Sequence, residues 1–164
     1  MNVHIRPIKS IDLDALLEIE KVSFPEPWEL EDFKSTLNDN KNVGLLVETH
    51  GRLFGYLIYR LEQGQFNIIS MAVAPDVRRK GIGRLMFEQV VLKLNPLKRT
   101  QICATASERS LDTHLFFKAL GFKGVEVLRD FYGRGHDGYD FVHNIGTPYK
   151  YNENKRLDEA CQGK

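Results

Sequence analysis

The sequence predicts an α+β (mixed α/β) fold in which helices flank one central sheet. Helix-like and strand-like spacings of apolar residues alternate along the chain, in the order β-α-α-β-β-β-α-β-α-β-β. The 164 residues correspond to one domain, and 42% apolar with 27% charged residues is close to an average globular composition. We therefore expect a single domain over residues 1–145 and a polar tail over residues 146–164.

The first half of the chain predicts four strands and two helices. Pro25 and Pro27 end the first helix near Val22, because proline cannot continue a helix. A turn at residues 50–52 joins the second and third strands as a hairpin. The predicted strands are residues 3–6, 43–49, 53–62 and 66–73; the predicted helices begin after Ser10 or Asp12 and at Glu29.

The second half predicts two further helices and three strands. Pro96 ends the first of these helices, and Gly121 closes the second at its C′ position. The predicted helices are residues 83–94 and 111–120. The predicted strands are 102–106, 125–131 and 139–143, the last two around a glycine-rich loop at 133–138.

Charge and cysteine content exclude several classes of function. The 23 basic and 22 acidic residues give a net charge of +1, without the basic surplus of a dedicated nucleic-acid or anionic-membrane binder. Two cysteines cannot build a disulfide framework, and the cysteines and five scattered histidines show no metal-ligand spacing. With no secretory signal and no apolar run of membrane length, we expect a cytoplasmic protein without a metal.

The most informative segment is AVAPDVRRKGIGRL, at residues 72–85. A predicted strand ends there, a turn with four basic residues follows, and a helix begins at the glycines. Helix N-termini offer N–H groups and a positive dipole end to phosphate. The segment is neither a Walker loop nor a dinucleotide GxGxxG loop, and an ordinary basic loop before a helix remains the alternative.

The run RRKGIG, at residues 78–83, matches the [QR]-x-x-G-x-[GA] signature of the GNAT acyl-CoA-dependent N-acyltransferases. ISMAV at 69–73 resembles the fourth strand of that family, and LFFKALGF at 115–122 resembles its later helix motif. The resemblance covers roughly residues 3–144. It implies a mainly antiparallel sheet that splays between its fourth and fifth strands, with acetyl-CoA as the acyl donor.

The same resemblance assigns residues to the cofactor. Backbone groups of Met71 and Val73 would pair with pantetheine, and Arg78 would hold the signature turn and supply charge. Ser110 stands where the family often has an Asn that contacts the cofactor, and Phe117 stands where many members have a Tyr beside the thioester sulfur. The pyrophosphate would lie against the N–H groups of Arg79, Lys80, Gly81, Ile82, Gly83 and Arg84.

Within the family the chain most resembles the protein N-terminal acetyltransferases, including the ribosomal-protein-alanine type. FPEPW, from Phe24 with Pro25 to Trp28, resembles the loop that walls their acceptor site. Phe131 and Tyr132, followed by GRGHDGYD, resemble their aromatic pair and hairpin. Ordinary packing is the alternative for both segments.

The expected catalytic positions depart from the family. Thr105 stands where the bacterial ribosomal-alanine enzymes have a Glu base, Asn67 lies near a position where others have Glu or Tyr, and Phe117 cannot donate a proton. A peptide α-amine has a pKa of about 7.7–8.0, so a useful fraction is already neutral. Asn67, Thr105 or Ser107 could hold a water that carries the proton away; His114, Tyr132 and Tyr139 are the other weak candidates.

The preferred function is transfer of an acetyl group from acetyl-CoA to a primary amine, by direct attack in a ternary complex. A protein or peptide N-terminus is the preferred acceptor. A small-molecule amine acetyltransferase and an acyl-CoA-binding module with impaired catalysis are the alternatives. No nucleic-acid or membrane partner is expected, and the sequence does not determine the oligomeric state.

Overall fold

The computed structural model describes residues 3–148. The predicted polar tail therefore lies outside the described residues, apart from 146–148. The strands are β1 His4–Pro7, β2 Asn42–Thr49, β3 Arg52–Leu61, β4 Gly64–Val73, β5 Arg99–Ser107, β6 Lys123–Gly133 and β7 His136–Asn144; the helices are α1 Leu13–Ser23, α2 Leu30–Asn38, α3 Ile82–Val91 and α4 Leu111–Ala119.

The seven strands form one sheet in the order β1-β2-β3-β4-β5-β7-β6. The sheet is mainly antiparallel, and within residues 3–148 β4 with β5 is the one parallel pair. Four helices flank it, which confirms the predicted α+β class. The last two strands reverse their order, so that β7 rather than β6 pairs with β5.

The described chain divides into two compact units, and residues 3–61 with 69–89 make the first. It contains β1 to β3, the second half of β4, α1, α2, and α3 as far as Gln89. Arg6 joins its first elements, since the guanidinium binds the carboxylates of both Asp12 and Glu48. The large apolar side chains that are fully buried in this unit include Leu16, Phe33, Leu46, Leu57, Ile58 and Phe87.

Residues 62–68 with 90–148 make the second unit, which contains the ladders of β5 with the first half of β4 and with β7. Successive side chains of a strand point to opposite faces. Ile102, Ala104 and Ala106 of β5 are buried on one face. Cys103, Thr105 and Ser107 are partly exposed on the other face, which we call the open face of this unit.

Several predicted boundaries were wrong. The strand predicted over residues 102–106 runs from Arg99 to Ser107. The helix predicted over residues 83–94 ends at Val91, and turn-type bonds from Lys93 and Leu94 follow it. The loop predicted over 133–138 is a turn at 134–135, because β6 runs to Gly133 and β7 begins at His136. A high glycine content therefore does not show that a segment is a loop, because most of these residues pair in strands.

Candidate active site

The basic turn between β4 and α3 has a left-handed backbone at two residues. The φ angles of Arg79 and Gly81 are 64° and 88°, a region that glycine adopts without a Cβ penalty. Arg78 braces the turn in the first unit: its Nε donates to the Val73 carbonyl at 2.8 Å, and its Nη2 donates to Ser23 Oγ at 2.9 Å. The guanidinium therefore ties the turn to the end of β4 and to α1.

The N-terminus of α3 follows this turn directly. The first helical hydrogen bond runs from Leu85 N to Gly81 O at 2.9 Å, so the N–H groups of Ile82 and Gly83 precede the helical ladder. No acidic side chain lies in the first turn of this helix. Arg79 is exposed beside it. This combination of N–H groups, a positive dipole end and a nearby cation is suited to binding a phosphate group.

The loop between α1 and α2 is anchored on a buried carboxylate. Glu20 is 2% exposed and accepts a hydrogen bond from Trp28 N. The Trp28 ring packs edge-on against Phe33, with 5.2 Å between ring centroids. Phe24 and Pro25 are exposed on this loop, so the predicted acceptor residues of the first unit are available for contact.

Polar side chains from three strands lie on the open face of the second unit. Asn67 of β4 is the register partner of Cys103, which places both on the face that also carries Thr105. Thr105 in turn pairs with Asp140 of β7. Its Oγ1 donates to Asp140 Oδ1 at 2.5 Å.

A bulge in β6 presents the aromatic pair. The register between β6 and β7 shifts between Leu128 and Gly133, and Phe131 and Tyr132 within that stretch are 55% and 46% exposed. The Asp137 carboxylate stabilises the bulge, because its Oδ1 accepts a hydrogen bond from the backbone N–H of Asp130 at 2.9 Å. A Cβ built on Gly138 would lie 3.1 Å from Phe131 Cβ, so the Phe131 side chain lies against this glycine.

Two groups on this face are held in their protonated forms. Burial, followed by the Asp140 and Glu62 charges, raises the pKa of the Cys103 thiol. Burial and the Asp140 carboxylate raise the pKa of Tyr132. A thiol is a far weaker nucleophile than a thiolate, so the raised pKa disfavours Cys103 as a nucleophile.

The profile of the acetyltransferase (GNAT) family matches residues 13–122. The chain belongs to the acetyltransferase (GNAT) family. Members of this family use acetyl-CoA as the acyl donor. The match covers the signature turn and the helix that carries LFFKALGF, the segments on which the sequence resemblance depends.

Curated relatives in this family include protein N-terminal acetyltransferases. The chain is 27% identical over 154 residues to the N-alpha-acetyltransferase of Sulfurisphaera tokodaii, covering 82% of this chain and 89% of the relative. It is 21% identical over 128 residues to the Escherichia coli [ribosomal protein bS18]-alanine N-acetyltransferase, covering 78% and 86%.

Solved structures of the acetyltransferase family have the same fold. The E. coli ribosomal-protein-S18-alanine N-acetyltransferase superposes with a TM-score of 0.77 at 20% identity, covering 93% of this chain and 98% of the other. Arabidopsis thaliana NAA60 in complex with acetyl-CoA gives 0.77 at 21% identity, covering 88% and 99%. These likenesses confirm the GNAT-like arrangement of the sheet and helices.

Three residues singled out in the sequence lie on α4 or at its N-terminus: Ser110 and Phe117 from the family resemblance, and His114 as a weak catalytic candidate. Ser110 is the N-cap of the helix, without a side-chain capping bond. Phe117 is 5% exposed, and its ring packs 4.9 Å from Phe122 and 5.3 Å from Phe141 between centroids. His114 Nε2 lies 2.9 Å from the Ser107 carbonyl oxygen. The contacts of Ser110 and Phe117 with the cofactor stay predictions.

His114 lies on the other face from Thr105. Its ring packs edge-on at 5.3 Å from Tyr139 and 5.2 Å from Phe141, the register partners of the buried Ala106 and Ala104. Because alternate residues of β7 face opposite sides, this packing separates His114 from the Thr105 and Asp140 pair. The environment of His114 is that of a packing residue.

Sequence reasoning missed Asp140 and Glu20 as candidates for the site. Asp140 is 35 residues from Thr105 in the chain, and only the strand register joins them. The signal for Glu20 is its position on the apolar side of a predicted helix. Within residues 3–148 no group of three or more His, Cys, Asp or Glu could hold a metal ion, and no helix is long and apolar enough to cross a membrane.

Proposed function

We propose that this acetyltransferase transfers an acetyl group from acetyl-CoA to the α-amine of a protein or peptide N-terminus. The proposal depends mainly on the turn at residues 78–81 before α3, which the Arg78 guanidinium stabilises, in a chain of the GNAT family. The acceptor class is supported by relatives that are named N-alpha-acetyltransferase.

On the donor side, the pyrophosphate would bind at the signature turn. Residues 79–84 would supply backbone N–H groups, and Arg79 with Lys80 would supply charge. Met71 and Val73 would pair with pantetheine through their backbones. The Val73 carbonyl already accepts a hydrogen bond from Arg78 Nε. We therefore assign the pantetheine contact of Val73 to its backbone N–H group.

On the acceptor side, we assign substrate contacts to Phe24 and Pro25 in the first unit and, separately, to Phe131 and Tyr132 in the second unit. All four are exposed. Aromatic rings supply large, rigid contact surfaces at low entropic cost, which suits recognition of short peptide segments. We further propose that residues 1–145 carry the activity and that it operates in the cytoplasm.

The test measures CoA release with acetyl-CoA and three acceptors. The first is a peptide with a free N-terminus and no lysine. The second is the same peptide with its N-terminus blocked and one lysine added, and the third is a set of small amines. Release with the first peptide alone supports the proposal. Release with small amines alone favours the small-molecule alternative.

Donor binding is measured separately by thermal unfolding. Acetyl-CoA at 100 times its dissociation constant should stabilise the protein by about 2.7 kcal/mol. Stabilisation without CoA release from any amine would favour the acyl-CoA-binding module. Absence of both effects would contradict the donor site itself.

A further inference from the structure

A carboxylate on β7 is oriented by a hydroxyl on β5. Thr105 and Asp140 are register partners in the antiparallel ladder, and Thr105 Oγ1 donates to Asp140 Oδ1 at 2.5 Å. That bond fixes the plane of the carboxylate. Its second oxygen, Oδ2, takes no part in the bond and can accept from another donor.

Asp140 has no cationic partner in the part of the chain that the structure describes. Among residues 3–148, no Lys, Arg or His forms an ion pair with Asp140. Asp137, three residues earlier on the same strand, is paired with Arg129. A partly buried carboxylate without a cationic partner is suited to receive the cationic amine of a ligand.

The groups around Asp140 are those of an acceptor site. Phe131 lies against Gly138, whose built Cβ would also meet Thr105 Cγ2 at 3.2 Å. The negative charge of Asp140 contributes to the raised pKa of Tyr132 and to that of Cys103 on β5, so both groups lie near this carboxylate. From β6, the exposed Glu126 is the register partner of Asp140.

We propose that Asp140 is the general base that takes the proton from the acceptor amine, and that Thr105 positions it. This rests on the proposed acetyl transfer to an amine. As the amine nitrogen forms its bond to the acetyl carbon, the bond from carbon to sulfur breaks and its electron pair goes to sulfur. Before this step the α-ammonium loses one proton to solvent, which frees the nitrogen lone pair. As the new bond forms, a second proton passes to Asp140 and then to solvent, and the CoA thiolate takes up a proton from solvent.

A carboxylate is basic enough for this step. A free α-ammonium has a pKa of about 7.7–8.0, so a useful fraction is already the neutral amine that attacks. The remaining N–H groups become much more acidic as nitrogen bonds to the carbonyl carbon. Asp140 therefore needs to accept the proton only while the new bond forms. Before that point the same charge attracts the ammonium to the open face.

The principal test compares D140N with wild type. Asparagine keeps the shape and can still accept the Thr105 hydroxyl, but it has no negative charge. We expect kcat/KM for the best amine acceptor to fall roughly 10²–10⁴-fold, with the dissociation constant of acetyl-CoA unchanged. D14N is the matched control, since it makes the same change at an exposed carboxylate of α1, and it should keep the wild-type kcat/KM. E126Q tests the neighbouring carboxylate of β6 as the alternative base.

Thr105 is tested as a positioning residue by separating kcat from KM. T105V removes the hydroxyl at nearly constant volume, so Asp140 loses the bond that fixes the plane of its carboxylate. We expect kcat to fall while KM for the acceptor amine stays close to the wild-type value, and T105S should restore kcat. A purely structural role of the hydroxyl would lower the stability of T105V without this selective loss of kcat. T105V also tests the assignment should D140N fail to fold.

The outcomes separate the two proposals. If wild type acetylates only small amines, the peptide acceptor is wrong, and D140N is assayed with the best small amine to test the base. If D140N retains kcat/KM within about threefold of wild type, or if E126Q causes the larger loss, Asp140 is not the base. A wild type that acetylates no amine overturns both.

Discussion

The carboxylate of Glu20 accepts a hydrogen bond from the backbone N–H of Trp28, with 3.0 Å between Oε1 and N. Its other oxygen, Oε2, accepts from the Tyr56 hydroxyl, which lies 3.0 Å from Ser70 Oγ. Burial, and then the bond to Glu20, raise the pKa of Tyr56, so this phenol stays protonated. A buried network thus links α1, the loop that follows it, and β3.

Replacing Glu20 by alanine should destabilise the protein and its loop. The change leaves Trp28 N without its acceptor and Tyr56 without one of its partners. At about 1–3 kcal/mol for each buried polar group left unsatisfied, we expect a loss of about 2–4 kcal/mol in the free energy of unfolding. Urea unfolding measures it. E18A, which removes an exposed carboxylate of the same helix, should change stability by less than about 0.5 kcal/mol.

Gly83→Glu should prevent acetyl-CoA binding while the fold persists. The substitution places a negative charge in the first turn of α3, where it opposes a bound pyrophosphate and occupies the approach to the N–H groups. Isothermal titration measures the affinity. Q89E adds the same charge farther along the helix and serves as the control. Equal affinities for G83E and Q89E would show that phosphate binds elsewhere.

Gly138→Ala should displace Phe131. The new Cβ would lie 3.1 Å from Phe131 Cβ and 3.2 Å from Thr105 Cγ2, closer than ordinary contact. We expect a higher KM for the peptide acceptor and a stability loss of about 1–3 kcal/mol from overpacking. G124A is the matched control, because its Cβ would lie 3.8 Å from Phe141. An unchanged KM in G138A would remove Phe131 from the acceptor site.

Phe117→Tyr should raise kcat by restoring a proton donor at the family position. The gain has an upper bound of roughly 10²–10⁴-fold. Because Phe117 is packed against Phe122 and Phe141, a hydroxyl without a partner would instead cost about 1–3 kcal/mol of stability. Single-turnover kinetics and thermal unfolding are measured together, with F116Y as the control. A lower Tm with unchanged kcat would show that the ring does not reach the sulfur.

His143 should make stability depend on pH in the mildly acidic range. Burial lowers its pKa, although the Leu120 carbonyl at 2.9 Å opposes the shift. Below the pKa of about 6.5 that this histidine has in the unfolded chain, the unfolded chain binds a proton and the folded protein does not yet bind it. Stability is therefore fully present above that pH and is lost as pH falls, by up to about 1.4 kcal/mol per pH unit.

Unfolding of H143Q at pH 7.5 and pH 5.5 tests this dependence. The variant should lose most of the difference that wild type shows between the two pH values. H4Q, which removes an exposed histidine of β1, should retain it. A wild-type slope that persists in H143Q would assign the dependence to other groups.

Features carried by contiguous residues were predicted well from the sequence. The α+β class, the order of the elements and the signature turn at residues 78–83 depend on local spacing, on proline and glycine positions, and on which residues follow one another. The resemblance of the same segments to the GNAT family predicted the family to which the chain belongs.

The amino-acid order by itself thus determined the class of fold, the family and the turn proposed to bind phosphate. Only the tertiary structure decided that β7 pairs with β5, which brings Asp140 to Thr105 from 35 residues away. It also decided which face His114 occupies. Local propensities fix the backbone of each segment, but partners and register depend on burial and hydrogen bonding between segments distant in the chain. A shift of one residue in β7 would have turned Asp140 to the buried face.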